Sequence, residues 1–135
     1  MTEDERLVDV LGESAFRTMG ALTGIAADAG LSLTQLRVLA ILRDRRLRIG
    51  DLAQYLGLEK STMTGLVARA EKKGLLERLP NRGDARAVDV AITDAGTAVA
   101  ELLEEAMRAA LLPLATRLPP QERRGLRQLL ERMLH

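Results

Sequence analysis

The chain of 135 residues has no cysteine, no tryptophan, one histidine (His135) and two other aromatics, Phe16 and Tyr55. Without cysteine there is no disulfide framework, no thiolate zinc site and no thiol redox switch. A single histidine at the last position cannot build a histidine-based metal cluster or a catalytic triad. Two aromatics are too few for a platform that stacks the bases of a single strand. The longest stretch free of charge, Thr18 to Ala27, is ten residues, and a membrane-spanning helix needs about 20 apolar ones. The start, Met1-Thr2-Glu3-Asp4-Glu5-Arg6, is acidic, the opposite of a secretory signal's basic lead. No paired acid and base, no nucleophile beside a base and no phosphate-cradling glycine loop stand out. These absences predict a cytoplasmic, non-enzymatic protein with no metal, no cofactor and no membrane partner.

What is present is unevenly placed. Hydrophobic residues make up 47% and charged residues 29%, which is ordinary for a globular domain. The formal net charge is only +1, yet that figure averages three unlike segments. Residues 1–31 carry two basic and six acidic groups, residues 32–93 twelve and seven, and residues 94–135 six and six. The basic excess lies in the middle.

The flanks read as helix. Leu7, Leu11, Ala15, Leu22 and Ile25 recur at near-helical spacing with no proline from Glu3 to Ala29, and Gly30 is a stop signal. Thr93 is a suitable N-cap for a stripe of Val99, Leu102, Leu103, Ala106, Ala110 and Leu114. Pro119-Pro120 breaks the chain, with Pro120 placed at a first helical position. A last helix then carries Leu126, Leu129, Leu130, Met133 and Leu134. Three long apolar helices at the two ends offer more apolar surface than one short protomer buries, so the expectation is a homodimer built from the chain ends.

The middle has another grammar. Ser32 can cap a helix holding Leu36, Leu39, Ala40 and Leu42, and Leu47-Arg48-Ile49 reads as a short strand. Asp51 opens a second helix with Leu52, Ala53 and Leu56 inward, closed by Gly57. A third runs from about Lys60 to Lys73, where Met63, Leu66, Val67 and Ala70 keep an unbroken helical period. Alternation then takes over in Leu76–Leu79 and Ala87–Ile92, two strands around a loop from Pro80 to Arg86. Two short helices at a glycine turn followed by a hairpin make a winged helix-turn-helix.

That arrangement suits duplex DNA, because a helix fits the major groove and short polar side chains approach base edges. The outward face of the third helix carries Ser61, Thr62, Gly65, Ala68, Arg69 and Lys72, with Thr64 at its border and Lys60 at its start. Lys60, Lys72 and Lys73 are all the lysines of the chain, and they bracket this helix. In the hairpin, Arg78, Arg82 and Arg86 can reach a phosphate backbone or a minor groove, and Asp84 is placed to orient Arg86. The bland alternative is a solvated face with surface ion pairs. The run Arg43-Asp44-Arg45-Arg46-Leu47-Arg48 is able to touch phosphates beyond the core site, but reads first as a solvated turn.

Four stretches resemble one family. Leu31-Ser32-Leu33-Thr34-Gln35-Leu36-Arg37-Val38-Leu39 is similar to the L-[TS]-x-x-Q-x-x-V-L opening of the MarR (multiple antibiotic resistance) regulators. Asp51 to Thr64 resembles their D-L-A-x-x-L-x-[LI]-[DE]-K-S-T-[VM]-T segment, and Glu71 to Arg78 their E-K-K-G-L-[VL]-x-R. Asp84-Ala85-Arg86 with Ile92-Thr93-Asp94-Ala95-Gly96 is similar to the D-x-R wing followed by [LI]-T-x-x-G. The resemblance implies a mainly α fold with a small β-hairpin wing: an N-terminal dimerisation helix (1–30), a winged helix-turn-helix (31–93) and C-terminal dimerisation helices (94–135). It implies a homodimeric regulator on a pseudo-palindromic operator, with recognition helices in major grooves ~34 Å apart and wings in flanking minor grooves. Such regulators are usually repressors released by small anionic or phenolic effectors. On this chain the implied DNA contacts are Lys60, Ser61, Thr62, Thr64, Gly65, Arg69, Lys72, Arg82, Asp84 and Arg86. The implied effector region includes Phe16, Arg17, Met19, Leu22, Leu36 and Arg37.

The sequence departs from the family pattern in three places. Gly65 stands where a larger polar or basic residue is common, Ala70 where leucine is usual, and Ala85 where a second wing arginine is frequent. A winged-helix module that binds protein rather than DNA is the alternative these departures leave open.

Overall fold

The computed structural model describes residues 1–135. Its elements are α1 (Glu3–Asp28), α2 (Leu33–Leu42), β1 (Leu47–Arg48), α3 (Ile49–Leu56), α4 (Lys60–Lys72), β2 (Leu76–Pro80), β3 (Val88–Ile92), α5 (Asp94–Ala115) and α6 (Pro120–Leu134). No single helix is long and apolar enough to cross a membrane.

Local sequence sets the helix ends. Ser32 and Gln35 form a reciprocal cap: the Ser32 hydroxyl accepts from the Gln35 N–H at 3.1 Å, and the Gln35 side chain accepts from the Ser32 N–H at 3.0 Å. Helices α1, α3 and α4 all stop at a Gly-Leu pair. The leucine N–H of Leu31, Leu58 and Leu75 reaches back to the carbonyl of Ala26, Ala53 and Ala70 at 2.8–3.0 Å. Gly57, with φ of 67°, supplies the left-handed residue this turn demands, and Gly74 does the same at 78°. The leucine then folds inward, so each stop signal also seats a core side chain.

The core lies in the winged segment. Val38, Leu39 and Leu42 of α2, Ile49, Leu52 and Ala53 of α3, and Met63, Leu66, Val67 and Ala70 of α4 pack around Leu76 and Val90. Each fully buried leucine there contributes about 1.5–3 kcal/mol. By contrast α1 buries only Ala26, and α6 buries nothing.

The wing is a three-stranded antiparallel sheet in the order β1-β3-β2, not a bare hairpin. Leu47 pairs with Val90 and Arg48 with Asp89, so β1 fixes the hairpin to the helices. The second helix starts at Ile49, two residues before the expected Asp51, because Ile49 is buried as the chain leaves β1 directly into α3. The Thr93 hydroxyl accepts from the Gly96 N–H at 3.0 Å and donates to the Gly74 carbonyl at 2.6 Å. It caps α5 as expected and docks that helix on the end of α4.

Candidate nucleic-acid interface

Helix α4 turns Met63, Leu66, Val67 and Ala70 inward, all buried. On the opposite side Lys60, Ser61, Thr62, Arg69 and Lys72 are exposed, and Thr64, Gly65 and Ala68 are half-buried. The Thr64 hydroxyl donates to the Lys60 carbonyl at 2.9 Å, so its proton is committed within the helix. Glu71 is withdrawn from this face. It accepts from the Arg78 N–H at 3.1 Å and from Arg78 Nε at 3.0 Å. Those bonds, the backbone one first, hold its carboxyl below the usual carboxylate range. Arg78 is therefore a strut between α4 and β2 rather than a free cation. Lys73 also leaves the set expected to bracket the helix: its ammonium donates to the Gly30 carbonyl at the end of α1.

The wing is organised from beneath by Asp89, only 5% exposed. Its carboxylate accepts from Asn81 Nδ2 at 2.8 Å and from Arg46 Nε at 2.8 Å, and Arg46 also donates to the Pro80 carbonyl at 2.9 Å. The bonds from Asn81 and then Arg46 keep Asp89 below the ordinary aspartate range. Asn81 Oδ1 in turn accepts from the N–H groups of Gly83 at 2.9 Å and Asp84 at 3.0 Å. At the tip, Asp84 Oδ1 accepts from the Arg86 N–H at 3.0 Å and lies 3.6 Å from Arg86 Nε. The Arg86 side chain remains 94% exposed, held outward on an ordered loop. Arg82 is exposed beside it.

A cleft of about 270 Å³ joins the two elements. Arg48, Lys60 and Arg86 line it with one carboxylate, Asp51. Three cations from β1, α4 and the wing loop thus converge on one strip, a chemistry that fits a phosphate backbone. Sequence reasoning ranked a phosphate contact by Arg48 second to a solvated turn, and it missed the support that Arg46, Asn81 and Asp89 give the wing. The Arg43–Arg48 run reads as solvated because its partners lie far along the chain. Asp89 occupies a polar slot of an alternating strand and looks solvent-facing, yet Arg46 covers it.

A second cavity, about 310 Å³, opens between α1, α2 and α5. Leu22, Leu36, Leu39, Ala40, Ala100, Leu103 and Met107 line it, with Glu104 and Arg108 as its polar side chains. Arg43, the C-cap of α2, pairs with Glu104 and keeps that carboxyl below its ordinary range, and Arg108 stands 3.5 Å from the same group. Of the expected effector residues, only Leu22 and Leu36 line this cavity. Phe16 is 73% exposed, Met19 is exposed, and Arg17 faces Glu13 at 3.9 Å on its own helix. Arg37 is exposed on α2 away from the lining. The arginine on this cavity is Arg108.

The chain ends carry the remaining apolar surface. Among the exposed large hydrophobic residues, only Tyr55 and Val88 lie in 31–93. Leu7 and Leu11 of α1 face Leu126, Leu129, Leu130 and Met133 of α6 across an open groove of about 390 Å³.

Comparison with known proteins agrees with this architecture. A family model described as MarR family matches residues 29–87. The transcriptional activatory protein BadR of Rhodopseudomonas palustris is 37% identical over 57 residues, 42% of this chain and 33% of BadR. The HTH-type transcriptional repressor MdtR of Bacillus subtilis is 34% identical over 68 residues, 50% of this chain and 44% of MdtR. The matched stretches thus span less than half the length of these curated relatives. Among solved structures, wild-type MarR from E. coli in its apo form superposes with a TM-score of 0.82 at 24% identity, over 100% of this chain and 98% of that one. A mutant MarR from E. coli complexed with operator DNA gives 0.76 at 24% identity, over 96% and 94%. NadR in complex with 4-hydroxyphenylacetate gives 0.75 at 25% identity, over 91% and 88%. The winged segment is thus similar to the MarR family over residues 29–87, and the whole chain shares the fold of the solved MarR structures.

Proposed function

We propose that the protein is a homodimeric, sequence-specific DNA-binding transcriptional regulator whose affinity for its operator responds to a small molecule. The observation that carries this reading is the cationic strip of Arg48, Lys60 and Arg86 beside an α4 face cleared of carboxylates. On this reading α4 enters the major groove with Ser61, Thr62, Thr64, Gly65 and Arg69 toward the bases. Lys60, Lys72 and Arg48 meet the backbone, and Arg82 and Arg86, the latter steered by Asp84, follow the flanking groove. The operator complex of the mutant MarR supports the same docking by analogy.

Dimerisation through α1, α5 and α6 follows from the apolar groove and from the absence of any buried residue in α6. The occupant of that surface is a second copy of the chain. The cavity beside Glu104 and Arg108 is the effector site, and Arg108 is the group that would meet an anionic or phenolic ligand. The regulator acts as a repressor in this reading; its relatives include both a repressor and an activator by name.

The test is selection of duplexes from a random library by the full-length protein, followed by direct binding. Arg86→Ala is expected to weaken binding to the selected duplex by about 1–3 kcal/mol while sedimentation gives an unchanged assembly. Loss of the assembly would make Arg86 structural. No enrichment of any duplex by the unmodified protein would refute the regulator and leave a protein-binding winged helix.

A further inference from the structure

We infer that Gly65 and Arg69 form one base-reading unit, in which Arg69 contacts a guanine from the place that a side chain at 65 would otherwise occupy. This deepens the DNA-binding reading and rests on it.

The inference starts from a glycine with no local reason to be one. Gly65 lies in the middle of α4, where glycine costs roughly 1 kcal/mol relative to alanine. Its backbone is ordinary helix, not a positive-φ conformation. Beyond the local helix backbone and its chain neighbours, a Cβ built there would meet no core side chain and no other backbone; the one such atom within 4 Å is Nη1 of Arg69, at 3.5 Å. Neither turn geometry nor packing therefore calls for glycine. What the missing side chain leaves is room for that guanidinium.

Helix geometry explains the pairing. Residues four apart share a face, and side chains lean toward the N-terminus of their helix. Arg69 accordingly lies back over Gly65, toward the Ser61–Thr62 end of α4. The guanidinium is also uncommitted. Arg69 makes no ion pair within the chain, and Glu71 two residues on is occupied by Arg78. An exposed planar fork of donors with short neighbours matches the O6 and N7 acceptors of guanine in the major groove. A long side chain at 65 would compete for the same space and turn the fork away.

The experiment compares duplexes selected from a random library by the full-length protein and by Gly65→Ala, Gly65→Gln and Arg69→Ala. Circular dichroism serves as the folding control. The unmodified protein should require one guanine per half-site, with other bases disfavoured about 5–150-fold. Gly65→Ala should keep that requirement, since 3.5 Å is ordinary contact. Arg69→Ala should reduce it to less than about threefold. Gly65→Gln should lose it as well, although Arg69 is still present. Retention of the guanine by Gly65→Gln would overturn the unit. So would an Arg69→Ala variant that weakens all sequences equally, which is the mark of a phosphate contact. If the unmodified protein enriches nothing, the regulator reading itself falls, an outcome distinct from both.

Discussion

Replacing Leu129 and Leu130 together by aspartate should convert the proposed dimer to a monomer and reduce affinity for a two-half-site duplex about 100-fold or more. Leu129 is 56% exposed and Leu130 37% in the single chain, so the change should leave the winged segment folded. In a twofold interface each substitution appears twice, and four carboxylates would lose water against an apolar surface. The loss in DNA affinity follows from geometry. A dimer places two reading helices on one duplex, and a monomer must bind one half-site alone. Sedimentation gives the assembly, and circular dichroism checks the fold. A variant that stays dimeric with full affinity would move the interface away from α6.

The second large effect is expected inside the fold. Gly96→Ala should destabilise the protein by about 1–3 kcal/mol or more, a fall of roughly 5–15 °C in melting midpoint. A Cβ at Gly96 would run into the Leu75 carbonyl, with the Ile92 side chain 2.7 Å away on the same approach. The carbonyl cannot yield easily, because it already accepts from the Thr93 N–H at 3.1 Å. Gly96 thus lets α5 press against the start of the wing, the joint through which the terminal helices meet the winged segment. Gly50→Ala is the control: Gly50 is also helical but has nothing within 4 Å, and its replacement should cost no stability. Equal melting of the two variants would show that the contact at Gly96 is not tight.

The sequence carried the local grammar well. The unbroken period of Met63, Leu66, Val67 and Ala70 located the buried face of α4. Ser32, Thr93 and the glycines at 30, 57 and 74 marked helix ends that the structure reproduces. What it could not carry were contacts between groups distant along the chain. Arg46 meets Asp89, Arg43 meets Glu104 and Lys73 meets Gly30 only after folding. Each took a cation that looked solvated, or free for a phosphate, and made it a strut. The same limit applied to the cavity between α1, α2 and α5. The family resemblance implied Phe16, Met19, Leu22 and Leu36 there; Leu22 and Leu36 line the cavity, while Phe16 and Met19 are exposed in the single chain.

The central claim is that the basic excess of residues 32–93 is a surface for duplex DNA. The most direct test is the affinity of the full-length protein for a selected duplex as salt is raised from about 50 to 200 mM. On the proposed docking, Arg48, Lys60 and Lys72, all exposed, from each of two protomers make six cations on the backbone. Counterion release from six contacts predicts a loss of affinity of about 10³-fold across that range, with two protomers bound per duplex. An affinity that stays flat across the range, or no binding to any duplex, would contradict the account.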